Sequence, residues 1–145
     1  MSAVGIAARW RSLGPELRSV LRIVAAFLFI QPGTMKLFSF PIAMPPGETA
    51  EFLSQTWIGG VLEVFGGVLM LVGLFTRPVA FILSGEMAVA YFQFHHPQSF
   101  WTIVNQGMPA VLFCFLWLYL SAVGPGPWSL DALRRRTPET RGDTP

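Results

Sequence analysis

The stretch WIGGVLEVFGGVLMLVGLFTRPVAFILSGEMAVAYFQF, residues 57–94, carries only three charged side chains, Glu63, Arg77 and Glu86. Its apolar runs do not alternate with polar residues, so they do not read as barrel strands. Thr76, Arg77 and Pro78 divide it into two segments, 57–75 and 78–94. Each is close to the 17 to 25 residues that a helix needs to cross about 30 Å of hydrocarbon. Working outward, two further runs of the same kind occupy 20–40 and 103–123. Four spans are therefore predicted, and the fold class is an all-α integral membrane four-helix bundle. Helices suit lipid because they satisfy their own backbone groups.

Composition agrees with lipid as the solvent. Of 145 residues, 52% are hydrophobic and 12% charged, about half the charge of an ordinary soluble domain. Arg9, Arg11, Arg18 and Arg22 ahead of the first run resemble the start of a signal peptide. No small-residue cleavage site follows Ile30, however, and the sequence continues as QPGTMKLF, so an uncleaved anchor is expected.

Nine of the ten Lys and Arg residues lie at 9–22, at Arg77, or at Arg134, Arg135, Arg136 and Arg141. Lys36 is the tenth. The positive-inside rule then places both termini in the cytoplasm and the 41–56 and 95–102 loops outside. The net charge of +2 reflects these anchors and implies no nucleic-acid partner. Residues 1–19 read as an interfacial segment with Trp10 in it, 20–123 as the membrane domain, and 124–145 as a disordered basic cytoplasmic tail able to meet anionic lipid.

Ionisable groups in hydrocarbon are costly and so are candidates for function. Lys36, Glu63 and Glu86 fall at depths where they could meet, and they are the candidate catalytic residues. Gln31, Gln93, His95 and His96 are candidate ligand-binding residues. Pro32, flanked by Gly33, predicts a kink beside Lys36. Gly59, Glu63, Gly66 and Met70 share one stripe of the second span, where small residues admit a neighbouring helix. Plainer uses exist for the same groups: Lys36 snorkelling to head groups, or Glu63 and Glu86 as helix-to-helix hydrogen bonds.

Several chemistries are disfavoured. One cysteine, Cys114, supports neither an internal disulfide nor a thioredoxin-type pair, and reads as a small buried apolar side chain. Two adjacent histidines cannot clamp a haem from opposite faces. The Gly-Gly pairs lie inside a span and form no phosphate loop. No metal site and no covalently bound cofactor is expected, so any redox role needs a diffusible carrier or a partner subunit.

GTMKLFSFP at 33–41, LEVFGGVLMLVGLFTRPVAF at 62–81, GEMAVAYF at 85–92 followed by His95, and AVGPGPWSLDAL at 122–133 together resemble the DoxX family. The resemblance implies a four-helix bacterial inner-membrane protein, multi-pass, related to the membrane subunit of a thiosulfate:quinone oxidoreductase. By residue, it carries the family's lysine onto Lys36, its glutamates onto Glu63 and Glu86, and its histidine onto His95. Pro32 and Met108 depart from the pattern; Met108 stands where many relatives have a carboxylate, which this chain either does without or replaces by Glu48 or Glu51 of the first loop. The expectation is a quinone-linked oxidoreductase subunit with a polar pocket open to the outer side. A non-enzymatic anchor or assembly partner of a redox complex, and a small-molecule or proton transporter, remain open. The partners implied are the bilayer, a quinone, a soluble or membrane redox subunit and a second copy of the chain.

Overall fold

The computed structural model describes residues 3–45 and 47–136. Among them there are helices and no strand, apart from a single bridge between Met44 and Glu48. A short helix α1 (Ala3–Ser12) precedes α2 (Gly14–Phe38), which begins on Pro15, where a missing backbone donor costs nothing. Helix α3 (Gln55–Val72) starts under the Ser54 hydroxyl, which accepts from the Trp57 amide. It contains one π-helical turn, Leu62–Gly66, and stops at Gly73 in the left-handed region. Helix α4 (Thr76–Ala90) continues into a second π-helical turn, Tyr91–His95. Helix α5 (Met108–Val123) and a short helix α6 (Leu130–Arg136) complete the described residues.

Helices α2 and α3 are long and apolar enough to cross a membrane; α5, with 16 residues, is apolar but shorter. The molecule is an α-helical membrane protein, and its surface has the matching inversion. Phe27, Phe65, Phe81 and Phe115 are each 60% exposed or more, an apolar surface that water would not tolerate over so wide an area.

The interior is narrow. Phe29, Met70, Leu83, Trp117 and Leu120 are fully buried, and Phe29 meets Phe113 and the edge of Trp117 at ring separations of 5.1 and 5.3 Å. Helix α2 packs along α3, and α4 along α5. The approach of α2 to α3 depends on Gly33, where an added Cβ would lie 2.8 Å from the Glu63 Cβ and 2.9 Å from the Gly60 carbonyl oxygen.

Three sequence expectations need correction. The last long helix starts at Met108, not near 103, because 101–107 folds into turns around Asn105. The 124–136 part of the expected disordered tail is ordered, and 137–145 lies outside the described residues. Its order has a cause in Arg22, which the sequence suggests as a basic anchor at the water edge but which is fully buried. The Arg22 guanidinium donates to the carbonyls of Pro125 (3.0 Å), Leu71 (2.7 Å), Met70 and Trp128. Two of these acceptors lie in the last turn of α3, where the Met70 carbonyl also accepts from the Gly73 amide at 3.2 Å. Arg18 and Arg77 donate likewise to Val123 and Ala122, at 2.7 Å each, at the end of α5.

Asp131 completes this end of the molecule by accepting from the amides of Phe75 (2.9 Å) and Thr76 (2.8 Å), so it caps α4 from 55 residues away. Burial pushes its carboxyl up, but the Thr76 and Phe75 amides, helped by Arg135, outweigh this and hold it below the ordinary value. A depressed folded value means that the unfolded chain binds the proton first as pH falls. This stabilisation is present above the ordinary carboxylate range and is lost as pH drops through the folded value. Asp131→Asn is expected to cost about 1 kcal/mol at neutral pH and to flatten the acid limb of stability, measured as unfolding in detergent against pH.

Candidate functional site

Lys36 sits in the last turn of α2 and Glu63 in the first π-helical turn of α3. The Lys36 ammonium donates to both Glu63 carboxylate oxygens, Oε1 and Oε2, at 2.7 Å each. The carboxylate is 3% exposed and the lysine 22%, so the pair is shielded but not sealed. A π-helical turn widens the helix by one residue per turn and frees backbone groups, and such turns recur at functional sites. Here it carries the buried acid.

Glu86 comes from α4 and closes on the same point from the other side. A Cβ placed on Gly59 would be 3.4 Å from Glu86 Oε1 and 3.9 Å from Lys36 Nζ. A methyl group there would make ordinary contacts with both, so Gly59 faces the lysine and the second carboxyl, and only a larger side chain would intrude between them. Glu86 Oε2 is buried with no protein hydrogen-bond partner. One cation therefore faces two carboxyl groups, and one carboxyl oxygen is left for something else to satisfy.

These groups line a cavity of about 830 Å³, within the usual range for small-molecule sites. Most of its wall is apolar, including Phe29, Met87, Ala110 and Phe113. Ile58 of α3 and Ile82 and Val89 of α4 line the cavity and are also exposed on the outer flank, so it opens sideways between these two helices. His95, in the second π-helical turn, lies at the rim. Its Nδ1 is 2.9 Å from the Asn105 carbonyl oxygen. Since a carbonyl can only accept, Nδ1 is the donor in this bond.

Of the predicted site residues, Lys36, Glu63, Glu86 and His95 line this one cavity. Gln93 is exposed and reaches the rim only through a hydrogen bond from the Gln55 side chain, which does line it. Gln31 and His96 are exposed and stand outside the lining. Gln31 offers its carbonyl to the Thr34 hydroxyl, and His96 packs its ring against Tyr91 and Phe92. Glu48, Glu51 and Met108 are also exposed and stand off the cavity.

Two participants were not singled out from sequence. Gly59 belongs to a packing stripe in the sequence, yet in the structure it faces Lys36 and Glu86. Asn105 is 2% exposed, donates to the Ser99 carbonyl (2.7 Å) and accepts from the Gly107 amide (2.7 Å), fixing the turn that holds His95. The adjacent Gly107 was the available signal, since an Asn accepting from an amide two residues on is a common turn former.

A family model, DoxX, matches residues 17–96. A Haemophilus influenzae protein described as uncharacterized is 43% identical, with 81% of this chain and 90% of that protein aligned. An uncharacterized membrane protein of Mycobacterium tuberculosis is 27% identical over 81% of each chain. No solved structure matches the chain.

Proposed function

The chain belongs to the DoxX family, and on that premise we propose that it is the quinone-binding membrane subunit of a redox system. In this reading α2 to α5 cross the bacterial inner membrane as a four-helix bundle with both termini in the cytoplasm. The cavity then opens in the outer half of the bilayer, since the end of the molecule that gathers Arg18, Arg22, Arg77 and Arg134 to Arg136 faces inward.

The observation that carries the ligand class is Glu86 Oε2, a buried carboxyl oxygen without a protein partner, beside the Lys36–Glu63 pair in a mostly apolar chamber. A quinone head group presents two oxygens to such donors and acceptors, and its isoprenoid tail suits a chamber that opens sideways between α3 and α4. Lys36 and Glu86 are the groups that hold the head and exchange protons with it. The lone Cys114 and the absence of a nucleotide motif in the sequence leave electron supply to a partner subunit.

The test is extraction. Protein purified in mild detergent is expected to carry near-stoichiometric ubiquinone or menaquinone, and Glu86→Gln to carry about tenfold less, the worth of one charge-assisted hydrogen bond. Gly59→Leu, which fills the gap between Lys36 and Glu86, should carry none while still entering the membrane. Quinone content no higher than that of an unrelated membrane protein in the same detergent would remove this reading.

A further inference from the structure

At the end of the molecule away from the cavity, a second hollow of about 410 Å³ lies between the last turn of α3 and the returning segment. Leu71, Val72, Pro127, Trp128, Leu130 and Leu133 form its walls. Trp128 is 55% exposed, with its ring presented at the level where the helix ends. This is where a tryptophan in a membrane protein marks the boundary between hydrocarbon and head groups.

The surroundings of the hollow are basic. Helix α6, which contributes Leu130 and Leu133 to the wall, also carries Arg134, Arg135 and Arg136. The Arg134 guanidinium is 5.2 Å from the centre of the Phe75 ring, a cation–π contact that ties the end of α6 to the turn after α3. Asp131 of the same helix lies toward Arg135 and Arg22, and its carboxylate is already engaged by the Phe75 and Thr76 amides. Arg134 and Arg136 are exposed.

We propose that this hollow is a binding site for an anionic phospholipid, with an acyl chain against Trp128 and Leu133 and the phosphate on Arg134 and Arg136, which follow the wall residues Leu130 and Leu133 by one helical turn. An apolar wall and a basic rim in one place are satisfied together by a molecule that has both a hydrocarbon tail and a negative head. A soluble anion would leave the wall uncovered, and a zwitterionic lipid would leave the arginines uncompensated. Basic pockets at helix ends recognise acidic lipid head groups through this combination. The site stands apart from the quinone cavity and does not depend on that reading.

Trp128 provides the readout. The protein is placed in phosphatidylcholine nanodiscs doped with lipid brominated in its tail, and quenching assigned to Trp128 is taken as the difference from Trp128→Phe. Brominated phosphatidylglycerol is expected to quench at several-fold lower content than brominated phosphatidylcholine. Arg135→Gln, on the far face of α6, should leave the preference in place, whereas Arg134→Gln and Arg136→Gln should each reduce it, by up to about fivefold, and in the unaltered protein it should shrink in high salt. Equal quenching by the two lipids overturns the proposal, as does a preference unaffected by salt and by the Arg134 and Arg136 substitutions. Abolition of the preference by glycerol phosphate, which has the head but no tail, would instead make this a free-phosphate site.

Discussion

Arg22→Met is expected to lower stability by about 4 kcal/mol. The guanidinium is fully buried and serves four carbonyls, those of Met70, Leu71, Pro125 and Trp128. A methionine fills similar space but donates nothing, and each buried carbonyl left unsatisfied costs about 1 to 3 kcal/mol. Backbone relaxation and water entering the water-facing end recover part of that sum. Arg22→Lys should recover less than half of the loss, because an ammonium is a compact charge and cannot reach four acceptors on two segments as a planar fork does. Unfolding in detergent, monitored by near-ultraviolet circular dichroism, gives the values. Equal stability of the methionine variant and the unaltered protein would show that the four contacts carry no weight.

The second large effect concerns the cavity pair. Lys36→Met leaves the Glu63 carboxylate buried beside an apolar side chain, and removal of one partner from a buried pair costs about 3 to 5 kcal/mol. Lys36→Met combined with Glu63→Gln removes the stranded charge as well, so the double variant is expected to be more stable than the lysine variant alone by about 2 kcal/mol. That ordering cannot arise if Lys36 merely snorkels to head groups, where its loss would be nearly neutral and independent of Glu63. A double variant no more stable than the single one would therefore assign the 2.7 Å contacts no energetic role.

The contrast between these two arginine and lysine sites explains how far the sequence could be read. Lys36, Glu63 and Glu86 stood out because each interrupts a long apolar run, and depth along a span follows from counting residues. Rotation about the helix axis does not. At about 100° per residue, Gln31 lies about 140° around α2 from Lys36, and His96 about 100° from His95. Equal depth therefore gave no assurance of a shared cavity, and both point elsewhere. Gln93 lies seven residues from Glu86, close to two regular turns, yet the intervening π-helical turn changes that register. Arg22 was misread for a different reason. A basic residue at the start of an apolar run is normally a water-facing anchor, and its burial depends on carbonyls about fifty and a hundred residues away. Asn105 is likewise a single polar residue in a turn, whose role is set by the Gly107 and Ser99 backbone.

The clamp around Arg22 also orders events on the ribosome. Its partners at Met70 and Leu71 emerge 48 and 49 residues after it, and those at Pro125 and Trp128 more than a hundred residues after it. At about 5 to 20 residues per second, the arginine waits several seconds for its first acceptors and up to about twenty seconds for the last. During that interval it must remain in water, in the translocation channel or among lipid phosphates. The final closure of this end comes only when the last quarter of the chain has been released, so a nascent chain stopped before Trp128 holds a half-satisfied arginine and is a natural substrate for membrane quality control.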